Sequence, residues 1–267
     1  MLNFLCFGSG SSGNCYYLYT ETEGVLIDAG LGTRTLKKHF SDYGLSMSNV
    51  QALLVTHDHA DHVKSVGSLS GELCIPVYTT KAVHHGINEN YCVRKKIRPG
   101  YERYIEYGDS FSIGEMMITC FKVPHDSTDN IGFRIKYEDV TFCLITDAGR
   151  VTDEMKPYIS EANYLVLEAN YELGELMRGP YPQYLKDRIK SGNGHLSNAD
   201  CGKAIAENAS PELKQVWLAH LSEENNHPEL ARKTVETVLR DYGIIAGKDF
   251  QLDVLKRHRP SEVHELV

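Results

Sequence analysis

The stretch Thr56-His57-Asp58-His59-Ala60-Asp61-His62 puts three imidazoles and two carboxylates into one short turn. It follows Ala52-Leu53-Leu54-Val55, an apolar run that reads as a buried strand, so the histidines stand where a strand gives way to a loop. Side chains two positions apart on extended backbone share a side. His57 and His59 can therefore grip one ion together while Asp58 faces elsewhere. Asp61 and His62 come after the turn and, being adjacent, reach toward a second position near the first. Imidazole nitrogen with carboxylate oxygen suits zinc, manganese or iron, and the order of intrinsic affinities does not choose among them. The plain alternative is a polar helix start that happens to be His-rich.

Working outward, the 267 residues are 42% hydrophobic and 24% charged, ordinary globular composition with length for a substantial core. The start, Met1 to Gly8, lacks a basic region followed by an apolar segment and a small-residue cleavage site, and no apolar run approaches membrane-spanning length. The expectation is a soluble cytoplasmic protein. Seven cysteines are scattered without a CxxC pair, so reduced, buried thiols are expected rather than disulfides or zinc ligands. A formal net charge of −8 argues against nucleic-acid adhesion through the whole surface but leaves room for a local basic groove. Arg94-Lys95-Lys96 with Arg98 and Arg103, and Arg178, Lys186, Arg188 and Lys190, are the candidate patches, with a solvated face as the plain reading.

Short β-like runs open the chain: Phe4 to Phe7, Cys15 to Tyr19, and Val25 to Ile27, which ends at Asp28. The loop Gly8-Ser9-Gly10-Ser11-Ser12-Gly13-Asn14 is either a flexible connection or a place where small residues let backbone N–H groups approach an anion. A helix is expected over Leu31 to Tyr43, stopping at Gly44, and another over Lys81 to Asn90. Later strands run into polar residues: Met117 to Val123 into His125, Val140 to Ile145 into Asp147, Tyr164 to Leu167 into Glu168, and Val216 to Ala219 into His220. Thr152 to Ser160 reads as helix, Asn198 as the N-cap of another, and Pro228 to Gly243 as the last. One layered α/β domain spanning 1–267 is expected, with Tyr171 to Asn193 as an insertion.

The HxHxDH element followed by a later His, Asp and His resembles the metallo-β-lactamase superfamily over nearly the whole chain. That resemblance implies a four-layer αββα sandwich. It also implies that His57, His59 and His125 hold one metal, that Asp61, His62 and His220 hold a second, and that Asp147 bridges both. Asp28 matches an acidic residue behind the ligand histidines, where it can accept an imidazole's second N–H. The loop GSGSSGN, Glu168, the segment Gly194-His195-Leu196-Ser197-Asn198 and the segment Ala219 to Asn226 resemble the YycJ/WalJ group, and more distantly nucleases of the β-CASP type. The length leaves no room for an inserted β-CASP domain.

What this implies is a phosphodiesterase acting on nucleic acid, a 5′-to-3′ DNA exonuclease using a hydroxide activated by two divalent ions, zinc or manganese with iron as a further option. Asp61, His195 and Glu168 are the expected catalytic residues, His195 hydrogen-bonding the scissile phosphate or assisting the leaving oxygen. Ser9, Ser11, Ser12, Asn14, Ser197 and Asn225 are candidates for holding substrate phosphate. The alternatives are a hydrolase of small thioesters or lactones on the same fold, and a metal-stabilised regulatory protein without turnover; fold alone does not choose.

Overall fold

The strand VTFCLI, Val140–Ile145, is buried at every position. A continuous apolar run of this kind suits a strand covered on both faces rather than one half-exposed to water. A computed structural model describes residues 1–267 and builds the chain around two seven-stranded sheets. The strands are β1 (Leu2–Gly8), β2 (Cys15–Tyr19), β3 (Gly24–Ile27), β4 (Val50–Leu54), β5 (Val77–Thr79), β6 (Glu102–Tyr104), β7 (Ser110–Ile113), β8 (Met116–Lys122), β9 (Ile131–Tyr137), β10 (Val140–Ile145), β11 (Tyr164–Glu168), β12 (Gln215–Ala219), β13 (Gln251–Val254) and β14 (His264–Leu266). The helices are α1 (Thr33–Asp42), α2 (Ala60–Val63), α3 (Val66–Leu73), α4 (Lys81–Glu89), α5 (Lys156–Glu161), α6 (Leu173–Arg178), α7 (Gln183–Lys190), α8 (Asn198–Asn208) and α9 (Pro228–Asp241).

The first sheet has the order β14-β1-β2-β3-β4-β5-β6 and the second β13-β12-β11-β10-β9-β8-β7. β3 to β6 are parallel, as are β10 to β13, so the carboxyl ends within each parallel set open toward one edge. By contacts the chain forms two compact units: residues 1–120, 127–131 and 256–267 in one, 121–126 and 132–255 in the other. The first has a core of Leu5, Tyr17, Leu26, Leu53 and Val77 under Leu36 and Phe40 of α1 and Leu69 of α3. In the second, Cys143, Leu165, Val216 and Leu218 pack with Ile159 of α5, Ile205 of α8 and Ala231, Val235 and Leu239 of α9. Those three residues of α9 are spaced four apart, which puts them on one face. All seven cysteines are free, and burial pushes the Cys6 thiol up to about 12, as expected for inert buried thiols. No helix is long and apolar enough to cross a membrane.

Several boundaries differ from expectation. The helix expected over Thr152 to Ser160 begins at Lys156, because Pro157, which has no N–H to give, is suited to a first turn. The cap of α8 is Ser197, whose hydroxyl accepts from the Asp200 N–H, rather than Asn198. The connection from Tyr171 to Asn193 holds α6 and α7. Close backbone approach is enforced at Gly67 in α3, where an added Cβ would stand 1.9 Å from the Lys95 carbonyl oxygen. Gly67→Ala is expected to cost about 1–3 kcal/mol, the range for overpacking, read as a lower urea midpoint with unchanged slope. A wild-type midpoint would show that the chain around Lys95 yields without cost.

Candidate functional site

The HxHxDH turn folds as a strand end running into a helix. β4 stops at Leu54, His57 bridges Asn130 in extended pairing, and His59 is the residue before α2, so Asp61 and His62 fall in the first helical turn. His57 and His59 meet edge to face with ring centroids 4.7 Å apart, and the His62 ring lies 4.1 Å from His57. Asp58 turns away, as the alternation requires, and accepts from the backbone and hydroxyl of Thr128. Asp28 is fully buried and lies 2.7 Å from His62 Nδ1, while its oxygens also accept from the Thr56 N–H and hydroxyl. It is therefore the orienting carboxylate expected behind the histidines. Asn14 Nδ2 sits 2.9 Å from His62 Nε2 and 3.2 Å from Asp61 Oδ2.

In the second unit the strand ends deliver a second group. His125 follows β8, Asp147 follows β10, Glu168 ends β11 and His220 follows β12. His195 comes from the loop before α8. Asp147, Glu168, His195 and His220 each bring a potential ligand atom to within 4.8 Å of the others. Glu168 Oε1 is 2.8 Å from His195 Nδ1 and 3.0 Å from His220 Nδ1, and Oε2 accepts from the N–H groups of Ala148 and Leu196. With no exposed surface, Glu168 acts through the two imidazoles. Its expected catalytic role is corrected to a positioning one. Burial alone would raise its carboxyl pKa, but the two histidines outweigh that and hold it below the usual range. Burial likewise disfavours a charged His195, yet the charge and hydrogen bond of Glu168, with Asp147, hold its pKa above the ordinary imidazole value.

One pattern joins the histidines. A carboxylate or carbonyl can only accept, so each Nδ1 facing one carries a proton, and in a neutral ring Nε2 is left with its lone pair. Asp28 does this for His62, Glu168 for His195 and His220, and the Gly194 carbonyl, at 2.9 Å, for His125. His57 Nδ1 faces the Thr56 hydroxyl at 3.0 Å, an oxygen that itself donates to Asp28. Uniform fixing of Nδ1 by oxygen is how proteins orient metal-binding imidazoles, so the donor set fits divalent metal. A further signal is backbone conformation: among five non-glycine residues with positive φ, three are Asp28 (62°), Asp147 (54°) and His220 (52°). Each follows a strand, where left-handed backbone turns the chain sharply; strain of this kind persists where function or packing demands it.

The phosphate candidates divide. Ser9 is buried with its hydroxyl 2.9 Å from that of Tyr16, while Ser11 and Ser12 form an exposed tip. Ser197 is spent on capping α8 and hydrogen-bonding Asp200. Asn225 is buried, with Nδ2 3.2 Å from the Ser222 hydroxyl. The expected basic patches prove largely structural: Lys96 donates to the Ile87 and Asn90 carbonyls at the end of α4, Arg103 to those of Gly100 and Glu102, and Lys186 to that of Met177. Sequence reasoning missed Thr56, the Gly194 carbonyl and Asn170, whose Nδ2 donates to the His220 carbonyl at 2.8 Å. Backbone groups carry no residue-type signal, and Thr56 is legible only as the neighbour of His57.

Imidazoles and carboxylates fixed at strand ends on two mixed sheets define an α/β protein equipped to hold divalent metal. The family model for the beta-lactamase superfamily domain matches residues 24–221. The chain is 34% identical to exodeoxyribonuclease YycJ of Bacillus anthracis over 267 residues, 98% of either chain. It is 33% identical to exodeoxyribonuclease WalJ of Streptococcus pneumoniae over 244 residues, 91% of this chain and 90% of that one. Among solved structures, the metallo-beta-lactamase fold protein YhfI from Bacillus subtilis matches with a TM-score of 0.71 at 18% identity, covering 98% of this chain and 100% of that one, a likeness of fold. The chain belongs to the metallo-β-lactamase superfamily, and within it to the YycJ/WalJ group.

Proposed function

We propose that the protein is a metal-dependent phosphodiesterase that degrades DNA as an exonuclease, from the 5′ end toward the 3′ end. The observation that carries this reading is the fastening of His195 and His220 to one buried carboxylate, Glu168, in a chain 34% identical to an exodeoxyribonuclease along 98% of its length. The thioester or lactone alternative has no comparable support, since both relatives are named exodeoxyribonucleases. In this proposal the two units work as one domain over 1–267, in the cytoplasm.

His57, His59 and His125 would hold one divalent ion, Asp61, His62 and His220 a second, and Asp147 both, with zinc or manganese as the proposed metals and iron as a further option. Bound there, such a pair supplies Lewis-acid stabilisation of the attacking and leaving oxygens and lowers the pKa of water. The remaining work belongs to side chains. Asp61 serves as ligand and as the carboxylate that orients the attacking water. His195, held by Glu168 at Nδ1, presents Nε2 as donor to the scissile phosphate or to the departing oxygen. Asp28 and Glu168 keep the imidazoles in one tautomer, and the Ser11–Ser12 tip offers hydroxyls to a terminal phosphate.

The test is incubation of metal-replete protein with end-labelled linear DNA and RNA, single and double stranded, with and without a 5′-phosphate, beside closed circular DNA. Linear DNA is expected to shorten from the 5′ end while circles persist. Cutting of circles overturns the exonuclease assignment, and turnover of thioesters without any action on DNA overturns the phosphodiesterase assignment.

A further inference from the structure

Beside the second ligand group, a groove of about 430 Å³ opens between the loop after β10 and the start of α8. Its walls carry four cations, Arg150, Lys156, Lys190 and Lys203, against two carboxylates, Asp200 and Glu207, on a chain of formal net charge −8. A local reversal of sign inside a concave wall concentrates anions there. The floor is made by two glycines. A Cβ on Gly149 would stand 2.5 Å from the Gly192 carbonyl, and one on Gly192 would stand 2.6 Å from Arg150 Nη1. Arg150 lies across this contact, donating to the Gly192 carbonyl at 2.7 Å, and forms no ion pair. The three lysines lean on carboxylates that are about half exposed or more, Lys156 on Asp153, Lys190 on Asp187 and Lys203 on Glu207. Exposed pairs of this sort are weak and easily exchanged for another anion.

The inner end of the groove is tied to the site by covalent chain. Gly149 is two residues beyond Asp147 and Leu196 directly follows His195, so no more than about 8 Å of backbone separates them at about 3.8 Å per residue. Phosphates repeat at about 3.4 Å along the axis of each strand of B-form DNA. A strand with one phosphate at His195 therefore brings its next few phosphates within reach of Arg150 and the lysines.

We propose that this groove is the track for the backbone phosphates of the DNA strand, with Arg150 as its inner subsite and Lys156, Lys190 and Lys203 along its length. The proposal rests on the nuclease reading and names where that reading's substrate lies. It is tested with Lys156→Glu/Lys203→Glu, two exposed positions outside both ligand groups. Binding of a labelled phosphorothioate oligothymidylate to metal-replete protein is followed by anisotropy across a salt series, with hydrolysis of bis-p-nitrophenyl phosphate measured alongside. The double variant is expected to bind more weakly and to lose about 1.4 from the slope of log affinity against log salt, about 0.7 for each phosphate contact on a single strand. Turnover of the small diester should stay at the wild-type value. Wild-type affinity and slope in the double variant overturn the groove assignment, as does equal loss on the small diester. Lys156→Ala/Lys203→Ala, expected to give a smaller shift in the same direction, guards against misfolding of the charge-reversed protein. Cleavage of end-labelled DNA by the wild type is scored separately. Binding through the groove without cleavage sinks the nuclease reading alone, and cleavage with an unaltered double variant sinks the groove alone.

Discussion

His195→Ala is expected to lower kcat on DNA by about 10²–10³, the loss typical of removing one donor aimed at developing charge, with metal content and thermal midpoint near wild type. The structural basis is the way Glu168 is held. Removing the His195 ring leaves that buried carboxylate with three partners: His220 Nδ1 and the N–H groups of Ala148 and Leu196. No buried charge is abandoned, so folding has little reason to suffer. Only interactions stronger in the transition state than in the ground state speed the reaction, which is why the loss should appear in kcat rather than KM. A variant that turns over DNA normally, or one that loses metal, would show that His195 is structural or a ligand.

Asp147→Asn is expected to have the larger effect. Asparagine keeps the shape and tolerates the left-handed backbone that Asp147 adopts at φ 54°, so the substitution removes charge without disturbing the turn. In the proposed centre this carboxylate serves both ions. Its loss should exceed the 10–100-fold penalty in affinity or activity seen when a mere supporting partner of a ligand is removed. Metal analysis should fall from two ions per chain to one or none, and activity to background. Two tightly held ions in the variant, at full activity, would defeat the bridging role.

The residues most legible from sequence are those whose signal is local. HxHxDH is read from residue type and spacing alone, and a polar residue at the end of an apolar run marks each of His125, Asp147, Glu168 and His220. β14 is invisible in this way. His264–Leu266 is only three residues long, and becomes a strand because Leu2 pairs with Leu266 and Phe4 with His264, across almost the whole chain. The basic groove fails the same test, since Arg150, Lys156, Lys190 and Lys203 are dispersed among acidic neighbours and are gathered only by the fold. The runs that did look basic, such as Lys96 and Arg103, turn out to satisfy carbonyl oxygens nearby. Glu168 was visible as a strand-end acid, but its division between two imidazoles needed three dimensions.

The three left-handed residues at strand ends, Asp28, Asp147 and His220, bear on how this chain can change over time. At about 1–2 kcal/mol apiece for a non-glycine residue, together they forgo about 3–6 kcal/mol, a large share of the 5–15 kcal/mol by which a protein is ordinarily stable. Glycine carries no such penalty at positive φ. A lineage released from the need to bind metal would gain folding stability by drifting to glycine at these positions, and a laboratory selection for heat tolerance without a screen for activity would move the same way. Glycine at the position of Asp147 or His220 in a homologue thus becomes a marker of a duplicated copy that has kept the scaffold and given up the reaction.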